Sequence, residues 1–366
     1  MGKSITVGIA GLGLIGGSIA KALKRTGKGY EIAAWDYCTD SINRALTEEV
    51  IQVPVSSDFH EFSDCRIIFI CVPVHVFKEV IAKLKPVVRQ DCLITDVAST
   101  KGDVERIIRD MGLERQYAGG HPLAGSEMSG YQASKANLFE NAYYVMTVNP
   151  ECQVDTTVLE QIIHDIGAIP MVMDAEQHDR VTAVISHVPH VVASLLVNLV
   201  DKLDGPEGYM KTLAAGGFKD ITRIASSSPE LWTGISLTNQ RAILDTLTEL
   251  RSILEGFEGN LARFDQEPIR KFFARAKTVR STFSDKNKGI LQKTYDIVVD
   301  VEDKPGIIAI ISTALAAQGI NIKNIGIINN RENDEGALEI RFENENDMNR
   351  GMTTLKGLGY EAKARI

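Results

Sequence analysis

Residues 5–27 read ITVGIAGLGLIGGSIAKALKRTG. An apolar strand-like start gives way to Gly11-Leu-Gly13-Leu-Ile-Gly16, and a helix-like run follows. A second strand pattern, YEIAAWD, closes on Asp36. A lone GxGxxG says little. Between a strand and a helix, with an acid about 20 residues further on, it is the fingerprint of a dinucleotide-binding βαβ unit. Each glycine has its own task there. Gly11 permits the tight turn, Gly13 lets the backbone approach a pyrophosphate, and Gly16 lets the helix pack close to the strand. Leu14 and Ile15 open the helix whose N-terminus would face the phosphates. Asp36 is placed to bond the adenosine ribose hydroxyls and would repel a 2′-phosphate. Tyr37, Cys38 and Thr39 bring no cation nearby. The expected cofactor is therefore NAD over NADP.

Working outward, CRIIFICVPV at 65–74 is a continuous apolar run, as expected of a strand buried on both faces. CLITDVAST at 92–100 is another, and YAGG, YYVMTVNP and AIPMVMD read as further strands. Ligands of open α/β sheets bind beyond the carboxyl ends of the strands. That rule places Val72, Pro73, Ser99 and Lys101 near the site. Ser99 has two readings, a catalytic group or an N-cap for the helix beginning near Lys101. The stretch 119–130, GGHPLAGSEMSG, packs a histidine, a proline, hydroxyls, a carboxylate and four glycines into one segment. It reads either as a long surface loop or as a loop that closes over a ligand.

From about residue 176 the pattern turns helical. EQHDRVTAVISHVPHVVASLLVNLVDKL reads as one long helix interrupted by Pro189, which costs roughly 3 kcal/mol in a helix interior. His187 and His190 are three apart and share a face. They read as metal ligands or as buried structural histidines, and no HExxH or cysteine partner favours the metal. The following segment, residues 213–257, is also helical, with Gly216-Gly217 as a break and Lys219, Asp220, Arg223 and Trp232 beyond it. Long apolar helices of this kind usually pack on one another, often across a two-fold axis, so a homodimer is the default expectation. Residues 295–360 then read strand, helix, strand, strand, helix, strand, the ferredoxin-like βαββαβ pattern.

The chain has 366 residues, 44% hydrophobic and 24% charged, with a net charge of −8. That length suits two or three domains. The negative balance argues against a nucleic-acid partner. No apolar run approaches the roughly 20 residues that cross a bilayer, and the N-terminus lacks a secretory signal shape, so no membrane role is expected. Five cysteines without a CxxC pair fit a reducing cytoplasm and neither a disulfide framework nor a zinc site.

GLGLIGGS, DVASTK, GGHPLAGSEMSG, SHVPH and GGFKDITRIASS with PELW stand in one order across nearly the whole chain. Together they resemble the TyrA-type prephenate dehydrogenase family, and DVEDKPGIIAIISTALAAQGINI resembles an ACT domain. The resemblance implies an α/β Rossmann-type domain at 1–175, an all-α substrate-binding and dimerisation domain at 176–290, and a ferredoxin-like α+β ACT regulatory domain at 293–366. It implies NAD-dependent oxidative decarboxylation of prephenate to 4-hydroxyphenylpyruvate in L-tyrosine biosynthesis. His121 matches the family's catalytic histidine, and Ser99 the serine near the substrate hydroxyl. Glu127 matches the acid that gates the pocket. Ser186, His190, Arg223 and Trp232 match substrate-contacting positions. Asp303, Pro305, Gly306, Asn321 and Ile322 mark the expected L-tyrosine effector site, and no metal is expected. Arogenate dehydrogenase is the alternative enzyme. A different β-hydroxyacid-type enzyme would leave the HPLAGSE and SHVPH segments unexplained, and a non-catalytic NAD and amino-acid sensor would leave the catalytic set without use.

Overall fold

The computed structural model of the chain describes residues 5–125, 128–286, 295–301, 304–329 and 336–364. The chain divides into two compact units, Met1–Glu258 and Gly259–Ile366.

The first unit opens with β1 (Thr6–Ala10), α1 (Leu14–Arg25), β2 (Glu31–Trp35), α2 (Thr39–Thr47) and the short β3 (Val53–Pro54). Then come β4 (Ile67–Ile70), α3 (Val74–Leu84), β5 (Leu93–Asp96) and α4 (Gly102–Asp110). The five strands form a parallel sheet in the order β3-β2-β1-β4-β5. Alternation along each strand explains the double burial. Val7, Ile9, Ile67 and Phe69 join a core with Ile19 and Leu23 of α1. Ile68 and Ile70 join a second core with Phe77 and Ile81 of α3 and Val104 and Ile108 of α4. Each such side chain stabilises the fold by roughly 1.5–3 kcal/mol on burial.

The sheet continues past β5 through a parallel bridge from Ile94 to Tyr117. The next strands are β6 (Ala118–Pro122) and β7 (Tyr143–Val148). After α5 (Thr157–Asp165) comes β8 (Ile169–Val172). Here β6 and β7 are antiparallel, while β7 and β8 are parallel. The parallel pattern of β1 to β5 thus breaks at β7, which pairs with β6 antiparallel.

Helices α6 (Ala175–Thr182) and α7 (Val188–Leu203) are linked by a π-helical turn, Ala183–His187. Pro189 lies in the first α-helical turn after the π-turn, and has no N–H to give the turn before it. The wide turn before it absorbs the irregularity that the sequence places there, and such turns collect at functional sites. Within the contiguous helical stretch Ala175–Leu203, one 18-residue window reaches a mean hydropathy of 1.8, long and apolar enough by composition to cross a membrane, although no uninterrupted apolar run of that length exists. Its buried polar groups, His178, Asp179 and His187, bond to other parts of the protein. That pairing ties the first half of the stretch to the rest of the protein. After α8 (Tyr209–Leu213), the chain breaks at Ala214 and Ala215, and Gly216-Gly217 begins α9 (Gly216–Thr222) instead of interrupting it. A 3₁₀ turn at Arg223–Ser226 leads to α10 (Pro229–Thr238) and α11 (Gln240–Ala262).

The second unit holds α12 (Gln266–Lys286), β9 (Tyr295–Val301), α13 (Ile307–Ala317), β10 (Asn324–Asn329), β11 (Gly336–Phe342), α14 (Glu345–Gly357) and β12 (Glu361–Ala364). Its sheet has the order β10-β11-β9-β12 and is antiparallel throughout. Ile297, Val299, Leu338 and Ile340 pack beneath Ile311 and Leu315 of α13 and Leu355 of α14. The strand–helix alternation expected of residues 295–360 is present.

Candidate active site

At the end of β1 the chain turns at Gly11, with φ +106°. A Cβ there would stand 2.6 Å from the Cys71 carbonyl, so only glycine fits. Gly13 meets nothing within 4 Å and caps α1 without a side-chain bond. Leu14 and Ile15 follow as the half-buried start of α1, and Gly16 is buried. The N-terminus of α1 is thus open to a pyrophosphate, where backbone N–H groups and the helix dipole favour an anion. Asp36, just past β2, accepts from the Leu12 N–H at 2.6 Å and the Cys38 N–H at 2.7 Å. A carboxylate has about four acceptor sites. Two remain for ribose hydroxyls. Val72 and Pro73 follow β4, with Pro73 capping α3. The donor set and the open glycine side fit a dinucleotide.

His121 stands on β6, at the same carboxyl edge of the sheet. It is half-buried, and its Nδ1 lies 2.8 Å from His178 Nε2. His178 Nδ1 lies 2.8 Å from Asp179 Oδ1. Asp179 in turn accepts from the backbone N–H groups of Lys101 at 2.7 Å and Gly102 at 2.8 Å. A carboxylate only accepts, so His178 Nδ1 carries the proton and its neutral Nε2 accepts. His121 Nδ1 then donates, leaving the Nε2 lone pair unused. The chain of bonds selects the tautomer with a basic nitrogen free. Burial foremost, and then the electrostatic opposition of His178, Lys101 and His187 to a further positive charge, hold His121 well below the usual histidine range. Burial alone would raise Asp179, but the bonds from His178, Gly102 and Lys101 outweigh it and keep the carboxylate below its ordinary value.

Asp179 also answers the question of the α4 cap. Ser99 does not cap that helix; Asp179, from α6, takes the donors at its N-terminus. Ser99 is half-buried in the loop between β5 and α4, and its hydroxyl bonds to none of the described residues. Gly120 explains the double glycine before the histidine. A Cβ there would stand 2.5 Å from the Asp96 carbonyl and 2.6 Å from the Tyr144 hydroxyl. The stretch 119–130 is therefore strand as far as Pro122 and loop beyond it. Glu127 lies outside the described residues.

On the helical side, His187 is buried in the π-turn, and its Nδ1 accepts from Asn239 Nδ2 at 3.0 Å. Asn239 Nδ2 also donates to the Asp179 carbonyl at 2.8 Å. Desolvation pushes His187 down to about 4, so it is neutral at physiological pH. His190 bonds through Nδ1 to the Ser186 carbonyl at 3.0 Å and stacks on Trp232, with ring centroids 3.6 Å apart. Burial and the facing charge of Arg223 lower it, while the Ser186 bond works against them. The structure thus brings His190, Trp232 and Arg223 together, and Ser186 enters through its carbonyl. Among the described residues, no group of three or more His, Cys, Asp or Glu is arranged to hold a metal.

Sequence reasoning missed His178, Asp179 and Asn239. The signal available was HD at 178–179, but it stands among Glu176, Gln177 and Arg180 in the polar helix α6, where two more polar residues attract no notice. Adjacent helix positions do not normally face each other, so the pair gave no reason to read it as a unit.

The nucleotide-binding domain model of prephenate dehydrogenases matches residues 19–169, and the dimerization domain model matches residues 174–275. Prephenate dehydrogenase of Bacillus subtilis (strain 168) is 39% identical over 350 residues, covering 94% of each chain. That of Lactococcus lactis subsp. cremoris (strain MG1363) is 34% identical over 344 residues, covering 93% of this chain and 94% of its own. Among solved structures, prephenate dehydrogenase from Aquifex aeolicus in complex with hydroxyphenyl propionate and NAD+ superposes with a TM-score of 0.72 at 30% identity. It covers 77% of this chain and 99% of its own.

Proposed function

We infer the reaction from one premise: this chain belongs to the prephenate dehydrogenase family. It is an NAD-dependent oxidoreductase that converts prephenate to 4-hydroxyphenylpyruvate in L-tyrosine biosynthesis. NAD, when bound, supplies the hydride acceptor. Gly13 and the α1 N-terminus at Leu14 and Ile15 would hold its pyrophosphate, with Gly11 making the turn and Gly16 the close helix packing that allow it; Asp36 would hold its ribose, and Val72 and Pro73 would stand beside it.

The observation that carries the residue roles is the His121–His178–Asp179 chain of bonds at the carboxyl edge of the sheet. Prephenate carries a hydroxyl at C4, a ring carboxylate at C1 and a pyruvyl side chain. As the C4 carbinol becomes a ketone, its hydroxyl proton passes to the free Nε2 of His121, general-base work that contributes typically 10²–10⁴-fold. Asp179 and His178 hold the imidazole in the tautomer that accepts this proton and share the charge that develops. Ser99 holds the substrate hydroxyl. Loss of carbon dioxide then leaves an aromatic ring, which makes the step effectively irreversible. Arg223 holds a substrate carboxylate through paired bonds that a lysine cannot imitate. Ser186, His190 and Trp232 form the wall beside it.

The helical part, 176–290, serves as the homodimer interface. Supporting this, Leu195, Leu199, Leu237, Leu244 and Ile253 are exposed, while the small buried cluster there holds only Ala183, Val188 and Ile243. A groove of about 1650 Å³ between α4, α6, α7 and α11, with Val188 and Ala242 deep in it and Ile253 at its edge, is where a partner helix fits. Residues 293–366 serve as an ACT domain that binds L-tyrosine and inhibits the enzyme. What supports that is the strand order β10-β11-β9-β12, with Pro305 exposed and Gly306 at φ +90° opening α13. Asn321 is exposed before β10, Ile322 packs against the core, and Asp303 lies outside the described residues. The five free thiols suit a reducing cytoplasm.

The test is NADH formation with prephenate and with arogenate, each with NAD and with NADP, followed by added L-tyrosine. Turnover of prephenate with NAD is expected, and inhibition by L-tyrosine. Turnover confined to arogenate would keep the chemistry and move the substrate. An absence of turnover in a folded, NAD-binding protein would leave a sensor.

A further inference from the structure

Lys101 is fully buried, an uncommon place for a lysine unless it is paired. Its ammonium forms an ion pair with Asp96 and donates to the Gly120 carbonyl at 2.6 Å. Asp96 is saturated in turn. It accepts from the Tyr117 hydroxyl at 2.6 Å, the Gly120 N–H at 3.1 Å and the Ala98 N–H at 2.8 Å, besides Lys101. Gly120 is therefore bonded at its N–H to the carboxylate and at its carbonyl to the ammonium. That carbonyl belongs to the peptide joining Gly120 to His121. The backbone N–H of Lys101 reaches the same histidine from the other side, through Asp179 and His178.

We propose that Lys101 is a positioning residue: its ammonium pins the peptide that carries His121 and cancels the Asp96 charge that would otherwise draw a proton onto the imidazole. The proposal rests on His121 acting as the base. The surrounding elements leave Lys101 this task. Asp96 on β5 and Glu105 on α4 are the acids facing it, and Tyr117, Tyr144 and Cys71 face Asp96 as neutral groups raised by burial. His178 on α6 and His187 in the π-turn face His121 itself, and Asp179 is tied to the α4 N-terminus. Among the described residues, Lys101 is the cation paired with Asp96. The positive charge of Lys101 contributes to holding His121 below its usual range, in agreement with the geometry.

The test uses the full chain with prephenate and NAD, and reads kcat/KM against pH, kcat, and NADH affinity by fluorescence. Lys101→Met should move the acid limb upward by about one pH unit and lower kcat by about tenfold or more, with NADH affinity kept. Lys101→Met combined with Asp96→Asn removes both charges and should return the limb to its wild-type position. Lys101→Arg, which leaves no buried charge unpaired and keeps the test open if Lys101→Met does not fold, should leave the limb in place and lower kcat. The proposal is overturned if the limb stays put in Lys101→Met. It is overturned equally if the limb moves as far in the double variant or in Lys101→Arg, or if kcat is untouched in Lys101→Arg. The premise fails separately: a His121→Asn variant that still turns over removes the base, whatever Lys101 does.

Discussion

Around Gly13 the backbone is left open, with nothing within 4 Å of the position a Cβ would take and no side chain capping α1. Around His121 the neighbouring polar groups are already committed: Asp96 to Lys101, Tyr117 and Gly120, Asp179 to His178 and the α4 N-terminus, and Asn239 to His187. The difference follows from what each end must do. A pyrophosphate is met by unpaired donors, and a side chain there would only obstruct it. A general base must present one nitrogen in one tautomer, and that requires every neighbour to be fixed. The cradle is open backbone; the chemical end is a closed side-chain network, where removing one member of the buried Asp96–Lys101 pair would cost roughly 3–5 kcal/mol.

If the closed end carries the chemistry, changes there should strike turnover and spare cofactor binding. His121→Asn gives the largest expected effect, a fall in kcat of at least about 10³-fold with NADH affinity unchanged in a fluorescence titration. Comparable turnover would break the comparison at its centre. Asp179→Asn should follow, with kcat down about 10²-fold and the melting temperature lowered, because α4 loses a charged cap as His178 loses its orienting partner. A stability loss with kcat intact would reduce Asp179 to a cap. Arg223→Ala should mainly raise the KM for prephenate, about tenfold or more; an effect confined to kcat would contradict a carboxylate clamp. At the open end, Asp36→Ala should narrow the gap between NAD and NADP without lowering kcat, measured as the ratio of the two KM values. An unaltered ratio would place the ribose contact elsewhere.

The smallest effect concerns stability against pH. His121 and His187 are held below their unfolded value of about 6.5, His187 at about 4. The unfolded chain therefore binds more protons than the folded one as the pH falls, and stability is lost on acidification. The melting temperature should be flat above about pH 6.5 and decline between there and about pH 4, less steeply in His187→Gln. A decline of equal slope in that variant would remove His187 from the account.

The two ends also differ in how far the sequence reveals them. Gly11, Gly13 and Gly16 lie within one turn of chain, and Asp36 follows at the next strand end, so spacing alone displays the cradle. The βαββαβ order of the C-terminal part is legible for the same reason, since each element has its own local period. His121 joins His178 across 57 positions, and His187 joins Asn239 across 52. No local period connects such residues; the resemblance to a family pointed to His121, and the fold alone supplied its partners. Strand direction is hidden in the same way. YYVMTV reads as a strand either way, and only its pairing with β6 makes it antiparallel.

The central claim is that a neutral His121, held in one tautomer by His178 and Asp179, accepts the proton of the oxidised hydroxyl. The most direct measurement is the pH dependence of kcat/KM for prephenate oxidation by the wild-type chain with saturating NAD. The account predicts full activity down through pH 6.5, with the acid limb below that value, because burial keeps the imidazole unprotonated. An acid limb at or above pH 6.5 would contradict it, since the base would then be a solvent-exposed histidine or another group.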